Sequence, residues 1–254
     1  MTIGELTLGQ WRAATPGQRR SLAARAAEHV GAQEWDLAPD DATARLVLHG
    51  RPFALVPGGE ARLGVDAAAF TPTPEQAASY AESREDLGFP AEMAEYLAEV
   101  LSPPRTVRLR PLLVAVEPWT FEEEPGEIAA LLAAQGLRAA TPDEWEWACG
   151  AGARTLFRWG AGHPGTDSPH GSPDGPQHAP NAFGLLIGRD PYDPELTAEP
   201  GVFRGGDGGA ATCGGYGSFL AWLPLATAYR DPGLGELLAD DPPDNLLVRP
   251  VAEL

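Results

Sequence analysis

Apolar residues recur along this chain with two different periods, which divide it into predicted helices and predicted strands. After Thr15-Pro16 the spacing is helical and ends near Gly31, so residues 1–39 are predicted to form an N-terminal helical extension packed on the body. From 43 to 65 the spacing falls to two, and turns rich in glycine and proline separate the runs. This second pattern predicts a meander of short antiparallel strands.

The same two periods continue farther along the chain. Alternation from 105 to 117 predicts a strand, in which Pro111 favours an edge or a bulge because proline has no amide hydrogen for the ladder. Residues 156–160 predict a short strand that closes on a turn. Two helices are predicted after the meander, at 74–86 and 90–101.

A shorter helix is predicted to begin at Pro142. Thr141 can accept a hydrogen bond from the third helical residue, and Glu144 at that position can close a capping box. Gly150 and Gly152 supply a stop within three turns. The side chains of the first turn therefore define where this helix starts.

Composition and charge limit the possible functions. The formal net charge of −18 argues against nucleic acid as a partner, because phosphate binding needs a basic surface. No apolar run approaches the roughly 20 residues needed to span a bilayer, and the chain starts without an export signal, so we expect no membrane association. Cys149 and Cys213 cannot form a disulfide framework, which favours a cytoplasmic location.

The phrase that surrounds the helix at Pro142 resembles the signature of the formylglycine-generating enzyme family, also called the sulfatase-modifying-factor family. The family phrase reads Arg-Leu-Pro-Thr-Glu-Ala-Glu-Trp-Glu-Tyr-Ala and leads through glycines into an aromatic-Pro-Trp-Gly. The matching residues of this chain are Arg138, Thr141, Glu144, Trp145, Glu146, Ala148, Trp159 and Gly160.

Further phrases resemble the family in the same order along the chain. They are Pro-Asn-Ala-Phe-Gly-Leu at 180–185, Val-Phe-Arg-Gly-Gly-Asp at 202–207, Tyr-Arg at 229–230 and a closing strand at 246–249, after a shortened first helix at 127–135. The resemblance implies that residues 40–254 form an α+β, C-type-lectin-like domain of the formylglycine-generating-enzyme type. Such a domain has short antiparallel strands, few helices and long loops.

The resemblance also identifies where a copper centre would lie. In catalytic members of the family, two cysteines after the Arg-Gly-Gly-Ser phrase hold copper as thiolates and activate oxygen against a substrate cysteine, and soft sulfur ligands suit copper(I). Here those positions fall on Ala210 and Gly215, which cannot ligate a metal, and Cys213 is the only thiol nearby. Cys213 is therefore only a weak candidate for a catalytic residue.

Calcium is likewise not predicted. The family's calcium positions fall here on Ile187, Asp190, Tyr192 and Pro194. The first has no side-chain oxygen and the last has lost the carboxylate. Asp190, Asp193 and Glu195 could rebuild an oxygen cage, but three acidic residues in a turn favour a solvated tip.

Histidine ligands for iron, which another branch of the family uses in sulfoxide synthesis, are also not predicted. Residues 1–104 contain only His29 and His49, on different predicted elements. Residues 161–180 predict a surface loop with three exposed histidines, His163, His170 and His178. We therefore predict no cofactor, and copper, iron or calcium would each require a rebuilt site.

Residues 205–218 contain glycine at a density that permits close backbone approaches, so they predict either a cleft wall or a flexible linker. The cleft or binding candidates are Arg204, Asp207, Cys213, Tyr216 and Trp222. The leading hypothesis is a catalytically divergent family member, a pseudoenzyme that binds a peptide or protein partner through this cleft. Two alternatives stay open: a metal-dependent, oxygen-using oxidase of a cysteine or thiol substrate, and a lectin-like module.

Overall fold

The computed structural model describes residues 2–39, 42–165, 168–240 and 243–254. Met1 of the predicted extension, and Thr166 and Asp167 of the predicted loop, lie outside the described residues. The described chain is α+β, as predicted. Its α-helices are α1 Leu8–Ala13, α2 Pro16–Val30, α3 Pro74–Leu87, α4 Met93–Val100, α5 Pro125–Ala133, α6 Pro142–Gly150, α7 Ala210–Cys213, α8 Ser218–Trp222 and α9 Leu234–Asp240.

The strands are short, and most of them pair in antiparallel fashion. They are β1 Glu34–Leu37, β2 Ala44–Leu48, β3 Arg51–Val56, β4 Gly59–Leu63, β5 Arg105–Leu109, β6 Leu112–Ala115, β7 Trp119–Phe121, β8 Arg138–Ala139, β9 Glu195–Leu196, β10 Phe203–Arg204, β11 Leu246–Val248 and β12 Pro250–Glu253.

These strands form three sheets. Six strands pair in the order β1-β2-β3-β6-β12-β8, four pair in the order β10-β9-β11-β7, and β4 pairs with β5 alone. The β9–β11 pair is parallel, which departs from the antiparallel prediction. The interruption predicted at Pro111 is confirmed, because it separates β5 in the two-stranded sheet from β6 in the six-stranded sheet.

Three other predicted elements differ from the structure. The helix predicted at 127–135 spans Pro125–Ala133. The helix predicted at 90–101 begins only at Met93, and the carbonyls of residues 90 and 91 instead accept hydrogen bonds from Tyr80 and Arg84 of α3. The strand predicted at 156–160 is reduced to one bridge between Phe157 and Gly160, which closes a turn.

The N-terminal segment is part of the main core. Leu6, Trp11 and Leu22 are buried in the same apolar cluster as side chains of β2, β3 and β6. The Trp11 indole donates to the carbonyl of Ala42 at 2.8 Å. Strand β1 pairs along its whole length with β2, so the predicted boundary between residues 39 and 40 falls between two paired strands. No helix in the described part of the chain is long and apolar enough to cross a membrane.

Candidate functional site

Helix α6 lies at the centre of the residues that carry the family resemblance. Its predicted capping box is confirmed: the Thr141 hydroxyl accepts from the Glu144 N–H at 3.2 Å, and the Glu144 carboxylate accepts from the Thr141 N–H at 2.8 Å. Both carboxylate oxygens of Glu144 also accept from the Arg138 guanidinium at 2.7 Å. Burial alone would raise the pKa of Glu144, but Arg138 and the Thr141 N–H outweigh burial and lower it.

The second turn of α6 is held by a buried ion pair. Trp145 donates from its indole to Glu195 at 2.7 Å, and Glu195 pairs with Arg249 through both carboxylate oxygens. Arg249 is only 1% exposed, and it also donates to the carbonyls of Ala115, Val116 and Leu186. The prediction that Glu195 belongs to a solvated acidic tip is therefore wrong, because Glu195 is the buried partner of Arg249.

Glu146, the next residue along α6, carries a second buried carboxylate. It accepts from the Gly64 N–H at 2.5 Å and from Arg105 at 2.8 Å, and Arg204 lies 3.8 Å away. Burial would lower the pKa of Arg105, but its hydrogen bonds to Asp143 and Glu146 outweigh burial and raise it. Two cations and one backbone amide thus offset the charge of Glu146.

The Pro-Asn-Ala-Phe-Gly-Leu phrase secures the other end of α6. Asn181 donates to the carbonyls of Ala148 and Cys149 at 2.6 and 3.0 Å, and its side-chain oxygen accepts from the N–H groups of Phe183 and Leu185. The last carbonyls of a helix have no partners within the helix, and here the Asn181 side chain donates hydrogen bonds to two of them. The residues of the resemblance therefore make structural contacts with one another.

Several glycines of the 205–218 segment are required by close contacts inside the protein. A Cβ on Gly205, whose φ is +82°, would lie 2.6 Å from the Trp145 ring. Four other glycines are equally crowded. A Cβ would lie 2.1 to 2.5 Å from Pro191 at Gly206, from Tyr192 at Gly209, from Tyr216 at Gly214 and from Ser83 at Gly217. Side chains at these positions would clash with protein that is already present.

The five cleft candidates lie in different surroundings, and none of them lines the cavity described below. Arg204 and Trp222 are buried, and Arg204 donates to Ser102 and to the Tyr229 carbonyl. Asp207 is also buried and accepts from the N–H groups of residues 209 and 211 at 2.8 Å. Burial raises the pKa of Asp207, although those backbone hydrogen bonds oppose the shift. Tyr216 packs against the Phe89 ring at 5.1 Å.

The two thiols differ sharply. Cys213 is exposed, and its Sγ lies 3.1 Å from the Tyr192 hydroxyl. Cys149 is completely buried in α6, and burial raises the pKa of its thiol to about 12. Both cysteines are free of disulfide bonds.

One of the three loop histidines, His170, approaches the Cys213 region through a ring contact with Tyr192. His170 is exposed and its ring lies 5.7 Å from the Tyr192 ring, and His178 is exposed as predicted. His163 is only partly exposed, contrary to the prediction, since its ring packs on Phe219 and its Nε2 lies 3.3 Å from the Ser218 hydroxyl. Within the described ranges, no three His, Cys, Asp or Glu side chains form a group that could hold a metal ion.

A groove of about 850 Å³ opens beside α6. Glu146, Trp147 and Gly150 contribute its α6 side. Its other walls come from α1, from the paired strands β4 and β5 with the loop after β4, and from residues 152–156. Four arginines line it: Arg12, Arg62, Arg105 and Arg154. We call this groove, with all the residues that line it, the arginine groove.

Sequence reasoning missed the arginine groove, because its walls come from five separate parts of the chain. One signal was present: Arg62 occupies an outward position of β4, where the alternate residues Ala61 and Leu63 are buried. Gly152, just after α6, lies close to α1, since a Cβ at Gly152 would lie 3.0 Å from the Arg12 guanidinium. This close approach places α1 against the end of α6.

Comparison with models of known protein families finds no match for this chain, and no curated protein matches it.

Proposed function

We propose that this chain is a catalytically divergent member of the formylglycine-generating enzyme family, with a C-type-lectin-like scaffold, and that it binds a peptide or protein partner in the arginine groove. The groove beside α6 is the observation that carries the proposal. It is built on the helix that joins the residues of the resemblance, so a rigid framework supports it. Its volume of about 850 Å³ suits a short segment of extended chain.

The contacts of the resembling residues support the divergent part of the proposal. Trp145 and Glu146 are occupied by buried hydrogen bonds, and the two copper positions carry Ala210 and Gly215. What these residues provide is a scaffold.

The binding function is tested by selection from a random linear peptide library on the immobilised full-length chain. Thr106 is exposed on β5 and lines the groove, so Thr106→Trp fills it without removing a buried contact. We expect enriched peptides to bind the native chain and to lose binding to this variant. Thr120→Trp, at an exposed position of β7 outside the groove, is the matched control and is expected to bind normally. Selection of no peptide, or of peptides that bind the Thr106→Trp variant equally well, would refute the function.

A second candidate, the oxygen-using oxidase of a thiol substrate, rests on the exposure of Cys213 beside Tyr192. It is tested by oxygen consumption with a cysteine-containing peptide in the presence of copper. The binding proposal expects no turnover. Turnover that disappears in the Cys213→Ser variant would favour the oxidase instead.

A further inference from the structure

We infer that the arginine groove selects an acidic segment of its partner, in which side-chain carboxylates bind to arginine side chains. This inference names the ligand class of the site and so rests on the proposed function. Arginine presents donors in a planar fork that matches a carboxylate with two parallel hydrogen bonds. The groove presents four such side chains in a chain whose net charge is −18.

Three of the four arginines have donors available for a ligand. Arg12, Arg62 and Arg154 are exposed, and within the described ranges none of them makes an ion pair with an acidic residue. Arg105 is held by Asp143 and Glu146. Its charge is taken up by these two carboxylates, so it does not bind the ligand directly.

Three acidic residues line the groove, and one of them, Glu146, is paired inside the protein. Glu146 is compensated by Arg105 and by the Gly64 N–H. Asp66 accepts from the Ala69 N–H at 3.3 Å. Glu60 lies directly opposite Arg108 in the antiparallel pair of β4 and β5, where cross-strand neighbours on one face can interact. The four arginines that line the groove outnumber its three acidic residues, so its lining carries a net positive charge in a strongly acidic chain.

The remaining charge of the protein adds selectivity. Acidic residues outnumber basic residues two to one over the chain, 36 to 18, so an acidic segment is repelled by most of the surface. A basic segment would instead be attracted to many places on the molecule. The groove thus offers an acidic ligand a localised binding site.

The test compares the charge of the peptides enriched by the native chain and by the double variant Arg62→Gln/Arg154→Gln. We expect peptides enriched in Asp and Glu, with binding about tenfold weaker in the double variant because two exposed ion pairs are lost. Replacing the acidic residues of an enriched peptide by Asn and Gln should cause a similar loss, and raised salt should weaken binding. Arg20→Gln/Arg45→Gln, two exposed positions outside the groove, is the matched control and should bind as the native chain does.

Thermal unfolding of each variant shows whether it is folded. Enriched peptides that are neutral or basic, or that bind the groove double variant with unchanged affinity, would overturn the inference. If these peptides nevertheless failed to bind the Thr106→Trp variant, the proposed function would stand and only the acidic ligand class would be refuted. If no peptide were blocked by Thr106→Trp, the proposed function itself would fail.

Discussion

Arg249 is a charged side chain with almost no solvent contact. Its single acidic partner among the described residues is Glu195, and carbonyls take the other guanidinium hydrogens. We expect Glu195→Gln to leave Arg249 as an uncompensated buried charge and to lower the free energy of unfolding by about 3–5 kcal/mol. That is a large part of the total for a domain, about 5–15 kcal/mol. Urea unfolding followed by circular dichroism measures the change.

Glu199→Gln is the control, because Glu199 lies four residues further along the chain and is exposed. It should change stability by less than about 0.5 kcal/mol. Equal stability of the two variants would show that the buried pair contributes nothing.

The two cysteines should be distinguishable by their reactivity. The thiolate is the reactive form of cysteine, and Cys149 has no exposure and a pKa raised to about 12 by burial. We expect a thiol reagent such as DTNB to titrate one thiol in the native protein and two in denaturant. The Cys213→Ser variant should lose the native reaction, and rapid labelling of Cys149 in that variant would contradict the described packing.

For individual residues, the sequence predicts contacts between near neighbours in the chain well and contacts between distant residues poorly. The contact between Thr141 and Glu144 follows from a spacing of three, and it is present. Glu195 stands with Asp190 and Asp193 in what looks like an acidic turn, but its partner Arg249 lies 54 residues away. Only the folded chain brings that pair together.

Contacts between elements explain why Gly205 is a glycine. Strand β10 ends against the Trp145 ring of α6, and a Cβ at Gly205 would lie 2.6 Å from that ring. We expect Gly205→Ala to displace Trp145 and to weaken its hydrogen bond with Glu195. Gly215→Ala is the matched control, because its φ of +67° is similar but no atom of the described residues would lie within 4 Å of its Cβ. The control should cost about 1 kcal/mol of backbone strain, and Gly205→Ala clearly more, by urea unfolding.

Equal losses in the two glycine variants would show that strain alone, without the contact between β10 and α6, determines the cost.

The first turn of α6 should make stability depend on pH. Because Arg138 and the Thr141 N–H lower the pKa of Glu144 in the folded state despite burial, this stabilisation is present above the unfolded pKa. It is lost as pH falls through the lower folded pKa. We expect Glu144→Gln to flatten the decline in unfolding free energy between about pH 5 and pH 3. Glu127→Gln, exposed in the first turn of α5, should leave the decline steep.

Helix starts at a Thr-Pro pair were the most predictable features, and very short strands the least. The Thr-Pro pairs at 15–16, 73–74 and 141–142 each begin a helix with a complete capping box. By contrast, β8, β9 and β10 have two residues each, too few for a period of two to be visible. Their places depend on sheet partners far along the chain.

For the whole molecule, the α+β class was expected from the ordered phrases of the resemblance, and the described chain is α+β. The arginine groove could not be predicted, since it exists only where α1, the paired strands β4 and β5 and the end of α6 meet. The N-terminal segment supplies Leu8 and Arg12 to that groove. The predicted extension therefore forms part of the candidate site as well as part of the core.

This integration predicts that the N-terminal segment and the body unfold together. Trp11 is 4% exposed in the main core, and its indole hydrogen bond reaches Ala42 beyond β1. We expect Trp11→Ala to lower the unfolding free energy of the entire chain by about 3–5 kcal/mol, with a single transition seen by circular dichroism and by fluorescence. Arg20→Ala, exposed on α2, should have little effect. An early separate transition, with amide exchange increased only before residue 39, would instead show that the extension folds independently of the body.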